Sequence, residues 1–429
     1  MSDYKRVHWT PTTIGEITRQ LSSGGTPSTE VQSFWTGSIP WITGADFMES
    51  GIGEFRRFVS DSAVQQTATN VVRQGELLVV TRTGVGKLAI APCDIAISQD
   101  ITGLYPDRDR VDVRFLFHRM KLGVEALKRL NQGTSINGIV RDDLLSYRFN
   151  LPPMHEQQFI AEVLSTLDET IQQTKALIAK MQRVKAGMMH DLFTRGILPN
   201  GEMRRPREEA PQLYKESSLG WIPKEWEVRR LEQVAEVNRG KFSIRPRNDP
   251  RYYGGEFPFI QTGDVAIASG RIVSAYTQTL NLLGLSVSRL FPVGTIMVTI
   301  AANIADTCIL GIPMCAPDSL VGVVPKQDAT RRFIELCIRR RKRWLENGAP
   351  QTAQKNINLE DLRPLCIQYP QEEEQSQISE RYEAIDRQIG EYERVLRKLE
   401  MTKSGLMHDL LTGRVRIPES MLTRAAATT

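Results

Sequence analysis

The chain has 429 residues, 41% hydrophobic and 24% charged, which is too long for a single core and too apolar for a disordered chain, so two or three domains are expected. A net charge of +5, from 55 basic and 50 acidic residues, permits nucleic acid as a partner but is far from that of a histone-like protein. Five scattered cysteines (Cys93, Cys308, Cys315, Cys337, Cys366) form no CxxC or His-flanked pair, so reduced core thiols and no zinc site are expected, and the polar first eight residues point to the cytoplasm and not to a secretory leader.

The first globular portion runs over residues 1–151, with 17 Lys+Arg against 16 Asp+Glu in its first 150 positions. It reads as an α/β mixture of short strands. Gly75 to Thr81 and Leu88 to Ala91 flank a polar turn, Arg82-Thr83-Gly84-Val85-Gly86-Lys87, which makes a strand-turn-strand unit.

A long helix follows within 152–196, beginning near His155 behind Pro152-Pro153 and ending near Thr194. Ile160, Leu164, Leu167, Ile171, Thr174, Ile178, Met181, Lys185 and Met188 alternate spacings of four and three, the seam of a coiled coil ~43 Å long at ~1.5 Å per residue. Residues 197–218 carry Pro199, Pro206 and Pro211 among many charges and read as a connector.

The second globular portion, 219–369, repeats the first. Gly37-Ser38-Ile39-Pro40-Trp41-Ile42 recurs as Gly255-Glu256-Phe257-Pro258-Phe259-Ile260, at an offset of 218. It is more basic, 20 against 14, and a helix expected over Ala329 to Asn347 bears the run Arg339 to Arg343, either a solvated face or a phosphate contact. The apolar stretch from Phe291 to Ala316 is broken by Asn303, Asp306 and Pro313, which argues against a membrane span.

The second long helix, within 370–415, repeats the seam at Ile378, Tyr382, Ile385, Ile389, Tyr392, Leu396, Leu399, Lys403 and Leu406, ahead of a tail over 416–429. Glu156 to Thr194 matches Glu374 to Thr412 without a gap at 14 of 39 positions. The chain is therefore a tandem duplication of an α+β unit followed by a helix. Neither seam has a partner in its own half, so an antiparallel pairing of the two helices is expected.

No catalytic pattern survives inspection. Thr83-Gly84-Val85-Gly86 lacks the third glycine of a dinucleotide fingerprint and leads into a strand; Asn150-Leu151-Pro152-Pro153 only superficially resembles an amino-methyltransferase signature. His190-Asp191 and His408-Asp409 sit at adjacent helical positions, about 100° apart, and cannot face each other. There is no HExxH, GxSxG or paired-carboxylate nuclease pattern.

Three patterns occur twice and in order: Gly-x-x-Pro-[Trp/Phe]-Ile-x-x-x-Asp (Gly37 to Asp46, Gly255 to Asp264), Pro-x-x-x-Glu-Gln (Pro152 to Gln157, Pro370 to Gln375) and the helix exit Lys-x-Gly-x-Met-His-Asp-Leu-x-Thr. With them the chain resembles the specificity subunits of type I restriction-modification systems over nearly its whole length. The Arg82 turn, typical of that family, reads Ala301-Ala302-Asn303-Ile304-Ala305 in the second copy, as expected of domains that read different sequences. The resemblance implies two target-recognition domains and a helical spacer, with no chemistry of the chain's own. It also implies a DNA target of two half-sites, two docked methylation subunits and restriction subunits. S-adenosylmethionine, ATP and Mg2+ are then expected only in those partners.

Candidate base readers are Thr43, Arg82, Thr83, Lys87, Gln99 and Ser135 in the first half, and Arg245, Arg247, Thr262, Asn303 and Lys355 in the second. Met188, Met189, Phe193, Leu406, Met407 and Leu411 are more apolar than a helix end in water needs and are candidates for docking the methylation subunits. A non-catalytic adaptor whose domains bind protein is the alternative.

Overall fold

A computed structural model of the chain describes residues 9–48, 51–82, 84–130, 139, 141–242, 244, 246, 248–301, 303–348, 356–418 and 420–422, with the side chains of 124–130 excepted. The fold divides into two compact units. One holds residues 1–179 with 391–429, the other 180–390, so each long helix contributes its halves to different units.

In the first unit one four-stranded sheet is ordered Thr18–Ser23, Ile101–Pro106, Leu77–Val80, Leu88–Ile90, and a second is ordered Phe58–Val59, Ile39–Ile42, Ile95–Ile97, Asn70–Val72. Side chains alternate across a strand, and both faces of the first sheet are covered. Leu77 and Val79 point into a core shared with helix Val113–Leu130 and the long helices, while Leu78 and Val80 point into the core between the sheets. That is why the four residues form one unbroken apolar run.

The second unit repeats the plan. Its sheets are ordered Ala235–Arg239, Leu320–Pro325, Ile296–Thr299, Thr307–Leu310, Ile272–Val273 and Gln278–Leu280, Tyr253–Phe259, Met314–Ala316, Arg289–Phe291. Ile296 and Val298 face the helical side and Met297 the opposite core. The expected basic helix is two helices, Arg331–Arg340 and Lys342–Gly348.

The chain enters and leaves each α+β portion through one ladder. Thr10–Thr13 pairs antiparallel with Arg148–Leu151, and Glu227–Arg230 with Cys366–Tyr369. The long helices begin directly after, at Met154–Thr194 and Glu372–Thr412. Every seam position named above is buried or half-buried. Within each unit the two helices run antiparallel. Lys403 pairs with Asp168 and Lys175 with Glu400 (3.0 Å) in the first unit, and Lys185 pairs with Asp386 in the second.

The Pro-x-x-x-Glu-Gln pattern is the joint between strand and helix. Gln157 Nε2 donates to Pro152 O at 2.8 Å, and Gln375 Nε2 to Pro370 O at 2.8 Å, satisfying carbonyls where proline interrupts the chain. Glu156 accepts from Trp9 Nε1 (3.0 Å) and lies 3.7 Å from Arg416. Glu374 accepts from Trp226 Nε1 (2.9 Å), Arg204 Nη1 (2.5 Å) and Nη2 (3.1 Å), and the backbone of Ile197 (2.6 Å). In both units the arginine comes from the segment that follows the other helix. Gly196 closes the first helix with φ +67, and a Cβ there would lie 2.2 Å from Glu374 Oε1.

The stretch 197–218 is more than a connector: Arg204, Ala210 and Tyr214 are buried, and Tyr214–Ser217 forms a hairpin with Gly220–Pro223. Cys308, Cys315 and Cys337 are buried, Cys93 and Cys366 half-buried, and burial pushes the Cys308 thiol up to about 12. Among the described residues no group of His, Cys, Asp or Glu is arranged to hold a metal, and no helix is long and apolar enough to cross a membrane.

Candidate nucleic-acid interface

Strand direction gathers the candidate readers. In the first unit Ile39–Ile42 and Ile95–Ile97 are parallel neighbours, with Ile42 beside Ile97, so Thr43 and Gln99 leave the sheet at the same end. Ile101, just after Gln99, pairs antiparallel with Val80, which brings the Arg82 turn to that end as well. Thr81 and Arg82 backbone amides donate to Asp100 O at 2.8 and 3.4 Å. Thr26 Oγ1 donates to Gln99 Oε1 at 2.5 Å, adding the loop after Thr18–Ser23.

The second unit builds the same end from the same backbone bonds. Gly86 N donates to Val80 O (2.9 Å), and Ala305 N to Thr299 O (2.8 Å); Thr81 O accepts from Ile139 N (2.7 Å), and Ile300 O from Ile357 N (3.0 Å). Both turns need a left-handed residue. Gly86 supplies it at φ +90, and Ala305 holds φ +61 in spite of its Cβ. The divergent turns therefore close through the same backbone bond, Gly86 to Val80 and Ala305 to Thr299, with different side chains.

At the core of the first end is Asp46, closing the repeated Gly-to-Asp pattern. Its carboxylate accepts from Thr43 N (2.8 Å) and Oγ1 (2.9 Å), Arg56 Nε (3.2 Å) and Nη2, and Arg57 Nη2 (3.1 Å). Burial works to raise the Asp46 pKa, but the Arg56 and Thr43 hydrogen bonds prevail and hold it below the ordinary carboxylate value. Lys87 Nζ donates to Gly44 O (3.0 Å) and Phe47 O (3.1 Å), which ties this turn to the Arg82 turn, and the residue as a whole is exposed. Arg82 is exposed.

In the second end Asp264 caps in the same way, accepting from Gln261 N at 2.9 Å. Gln261, not Thr262, stands where Thr43 does, and its Nε2 donates to Gln278 Oε1 at 3.0 Å. Thr262 is half-buried in the first turn of helix Thr262–Ala268, and Asn303 is exposed. Lys87 is replaced by Asp306, which binds Lys342 at 2.5 Å. Thr83, Ser135, Arg245, Arg247 and Lys355 lie outside the described residues.

Much of the basic run is structural. Arg339 pairs with buried Glu335 (3.1 Å) and donates to Tyr382 Oη (2.7 Å), while Arg340 donates to Met189 O (3.1 Å) and stacks on Phe193 (4.6 Å). At the helix exits Phe193 and Leu411 are fully buried, Phe193 against Phe333, and so offer no docking surface. Met188, Met189, Leu406 and Met407 are half-buried.

Arg56 and Arg57 were missed by reading the sequence. They fall in a stretch without periodicity, and the antiparallel pairing of Ile39 and Pro40 with Val59 and Phe58, continued by the bond from Trp41 N to Arg57 O (2.9 Å), places them beside Thr43. The signal that could have found them is Asp46 itself, a carboxylate repeated in both halves and so in need of donors.

The type I restriction modification DNA specificity domain matches residues 6–183 and again 223–401. The chain belongs to this family. It is a specificity subunit: the DNA-recognition component, not the catalytic one, and family membership favours that reading over an adaptor. The type I restriction enzyme MjaIX specificity subunit of Methanocaldococcus jannaschii is 27% identical over 253 residues, which are 58% of this chain and 55% of the relative. The MjaVIII specificity subunit of the same organism is 24% identical across 97% of this chain and 96% of its own length. The crystal structure of the type I restriction-modification S subunit from M. genitalium shares the fold, with a TM-score of 0.61 at 17% identity, covering 96% of this chain and 98% of that one.

Proposed function

We propose that this specificity subunit recognises a bipartite DNA target, one half-site for each unit, and assembles with two methylation subunits and with restriction subunits. The observation that carries this is the pair of strand ends: the same backbone turns, fixed by the same hydrogen bonds, present Thr43, Arg82 and Gln99 in one unit and Gln261 and Asn303 in the other. A shared scaffold with exchanged polar groups suits two readers of different base sequences. S-adenosylmethionine, ATP and Mg2+ belong to the partner subunits, and the complex works in the cytoplasm.

The helix exits are where the methylation subunits dock. Met188 and Met189 in one unit, Leu406 and Met407 in the other, give each partner an equivalent apolar strip, held in place by buried Phe193 and Leu411. Met189→Glu with Met407→Glu abolishes co-purification of the methylation subunit while Arg82→Ala leaves it intact. Mapping methylated adenines in DNA from cells expressing the complex tests the whole reading. Two short sequences at a fixed gap are expected; scattered methylation without a bipartite motif refutes it.

A further inference from the structure

The Asp46 cluster, taken with the proposed reading as a DNA specificity subunit, carries a finer statement about which base the first unit selects. Its two arginines are in different situations. Arg57 donates through Nη2 alone, to Asp46 and to Thr43 Oγ1 (3.3 Å), and lies 4.6 Å from the ring centroid of buried Trp41, so its guanidinium lies against the indole and its side chain is 41% exposed. Arg56 is bound along one edge only, Nε and Nη2 both to Asp46 Oδ1, and its side chain is 64% exposed.

A long side chain normally loses rotamer freedom when a ligand fixes it. Here the carboxylate has already fixed it, which is the preorganisation that favours a directional contact. The edge left over is a planar pair of N–H donors. Such a fork matches the O6 and N7 acceptors of guanine in the major groove. A backbone phosphate also accepts from a guanidinium. Asp46, however, fixes the plane of the fork, and that fixed geometry suits the paired acceptors of a base edge.

Among the described residues of the second unit the corresponding positions carry no arginine. Strand register sets Phe259 opposite Gln278, as the Trp41-to-Arg57 bond sets those two together, so Thr277 and Gln278 take the places of Arg56 and Arg57. Gln278 is already engaged with Gln261. We propose that Arg56, aimed by Asp46, reads a guanine in one half-site.

Two measurements on the assembled methylation complex test this. In methylated-adenine mapping, Arg56→Gln relaxes one guanine position of one half-site and leaves the other half-site unchanged. In binding to synthetic duplexes, replacing that guanine by 7-deazaguanine, which lacks N7, weakens the wild-type complex roughly 10-fold or more and leaves the Arg56→Gln complex unaffected. The duplex series on wild-type protein scans each guanine in turn, so insensitivity at every guanine overturns the proposal even where the variant fails to assemble. Insensitivity to 7-deazaguanine throughout one half-site while the other responds independently of Arg56, or a motif unchanged by Arg56→Gln, overturns the proposal and leaves the specificity reading standing. A uniform loss of affinity for all sequences, with a shallower salt dependence, assigns Arg56 to phosphate and overturns it too. Absence of any bipartite motif with wild-type protein removes the underlying reading.

Discussion

Lys403 ends in an ion pair with Asp168, 235 residues away in sequence, and the residues that correspond to them at the 218 offset, Lys185 and Asp386, make the same pair in the second unit. Both lysines occupy seam positions of their helices, where an apolar residue would be the default. An antiparallel contact that puts charge on the seam favours one axial register over slipped alternatives, at some cost in stability.

Charge exchange tests the register. Asp168→Lys alone places two like charges side by side and lowers the unfolding free energy by about 1–2 kcal/mol. The double variant Asp168→Lys with Lys403→Asp recovers about 1 kcal/mol of that loss. The readout is a double-mutant cycle from denaturant unfolding of the full chain, and a coupling near zero would show that the pair is incidental.

The two joint carboxylates respond unequally to the same change. Glu374 is fully committed to buried Arg204, Trp226 and Ile197, so Glu374→Gln leaves the buried guanidinium with the more distant, exposed Glu225 (3.6 Å) and costs roughly 3 kcal/mol. Glu156 keeps one hydrogen bond from Trp9 and a looser partner, Arg416, whose side chain is 49% exposed. Glu156→Gln therefore costs about 1 kcal/mol. Equal losses in thermal unfolding would contradict the assignment of Arg204 as the deciding partner.

How far these features could be read beforehand depends on where a residue's partners lie. The duplication, both helices and their antiparallel pairing were legible, because seam spacing and the 218 offset are properties of the chain written in a line. The patterns around Glu156 and Asp46 were visible, but their roles were not: Trp9, Arg416, Arg204 and Arg57 reach them only through tertiary register. That Lys87 belongs to a polar turn between two strands was legible, and the residue is exposed; that its ammonium also donates to Gly44 O and Phe47 O was not, because those carbonyls lie about forty residues away in sequence. The stretch 197–218 misled through its prolines and charges, since what buries it is the Glu374 joint at the far helix.

His118 gives the first unit a pH dependence of the unusual sign. It is 1% exposed, with Ser165 Oγ 3.3 Å from Nε2 and Asp168 Oδ2 3.9 Å from Nδ1. Burial pushes its pKa down from 6.5 to about 4; Asp168 opposes this, while Lys403, Lys121 and Arg114 add to it. The unfolded chain then binds the proton more readily than the folded one between those values. Stability is complete above about pH 6.5 and falls as pH drops towards 4, by at most about 3 kcal/mol from this group. The variant His118→Asn starts less stable but loses less over that interval. Parallel slopes for the two proteins between pH 6.5 and 4.5 would exclude His118 as the source.

The helix pair offers the most demanding test of the bipartite reading, because it changes the target without touching a recognition loop. Under the proposed function the gap between half-sites follows helix length. Inserting four residues after Thr174 and four after Tyr392 lengthens both helices equally, by ~6 Å at ~1.5 Å per residue. That is close to two base pairs at ~3.4 Å each. Four residues exceed one helical turn by only about 40°, so each unit keeps nearly its original facing towards the duplex. The seam absorbs the insertion as a stutter, by local unwinding, and Lys175 with Glu400 marks where the strain falls first. Mapping methylated adenines should return the same two half-sites, including the Arg56-dependent guanine, separated by about two more unspecified bases. The same gap in wild-type and lengthened proteins would mean that the spacing is set elsewhere in the complex. Circular dichroism of the variant, showing both helices still formed, separates that result from a broken seam.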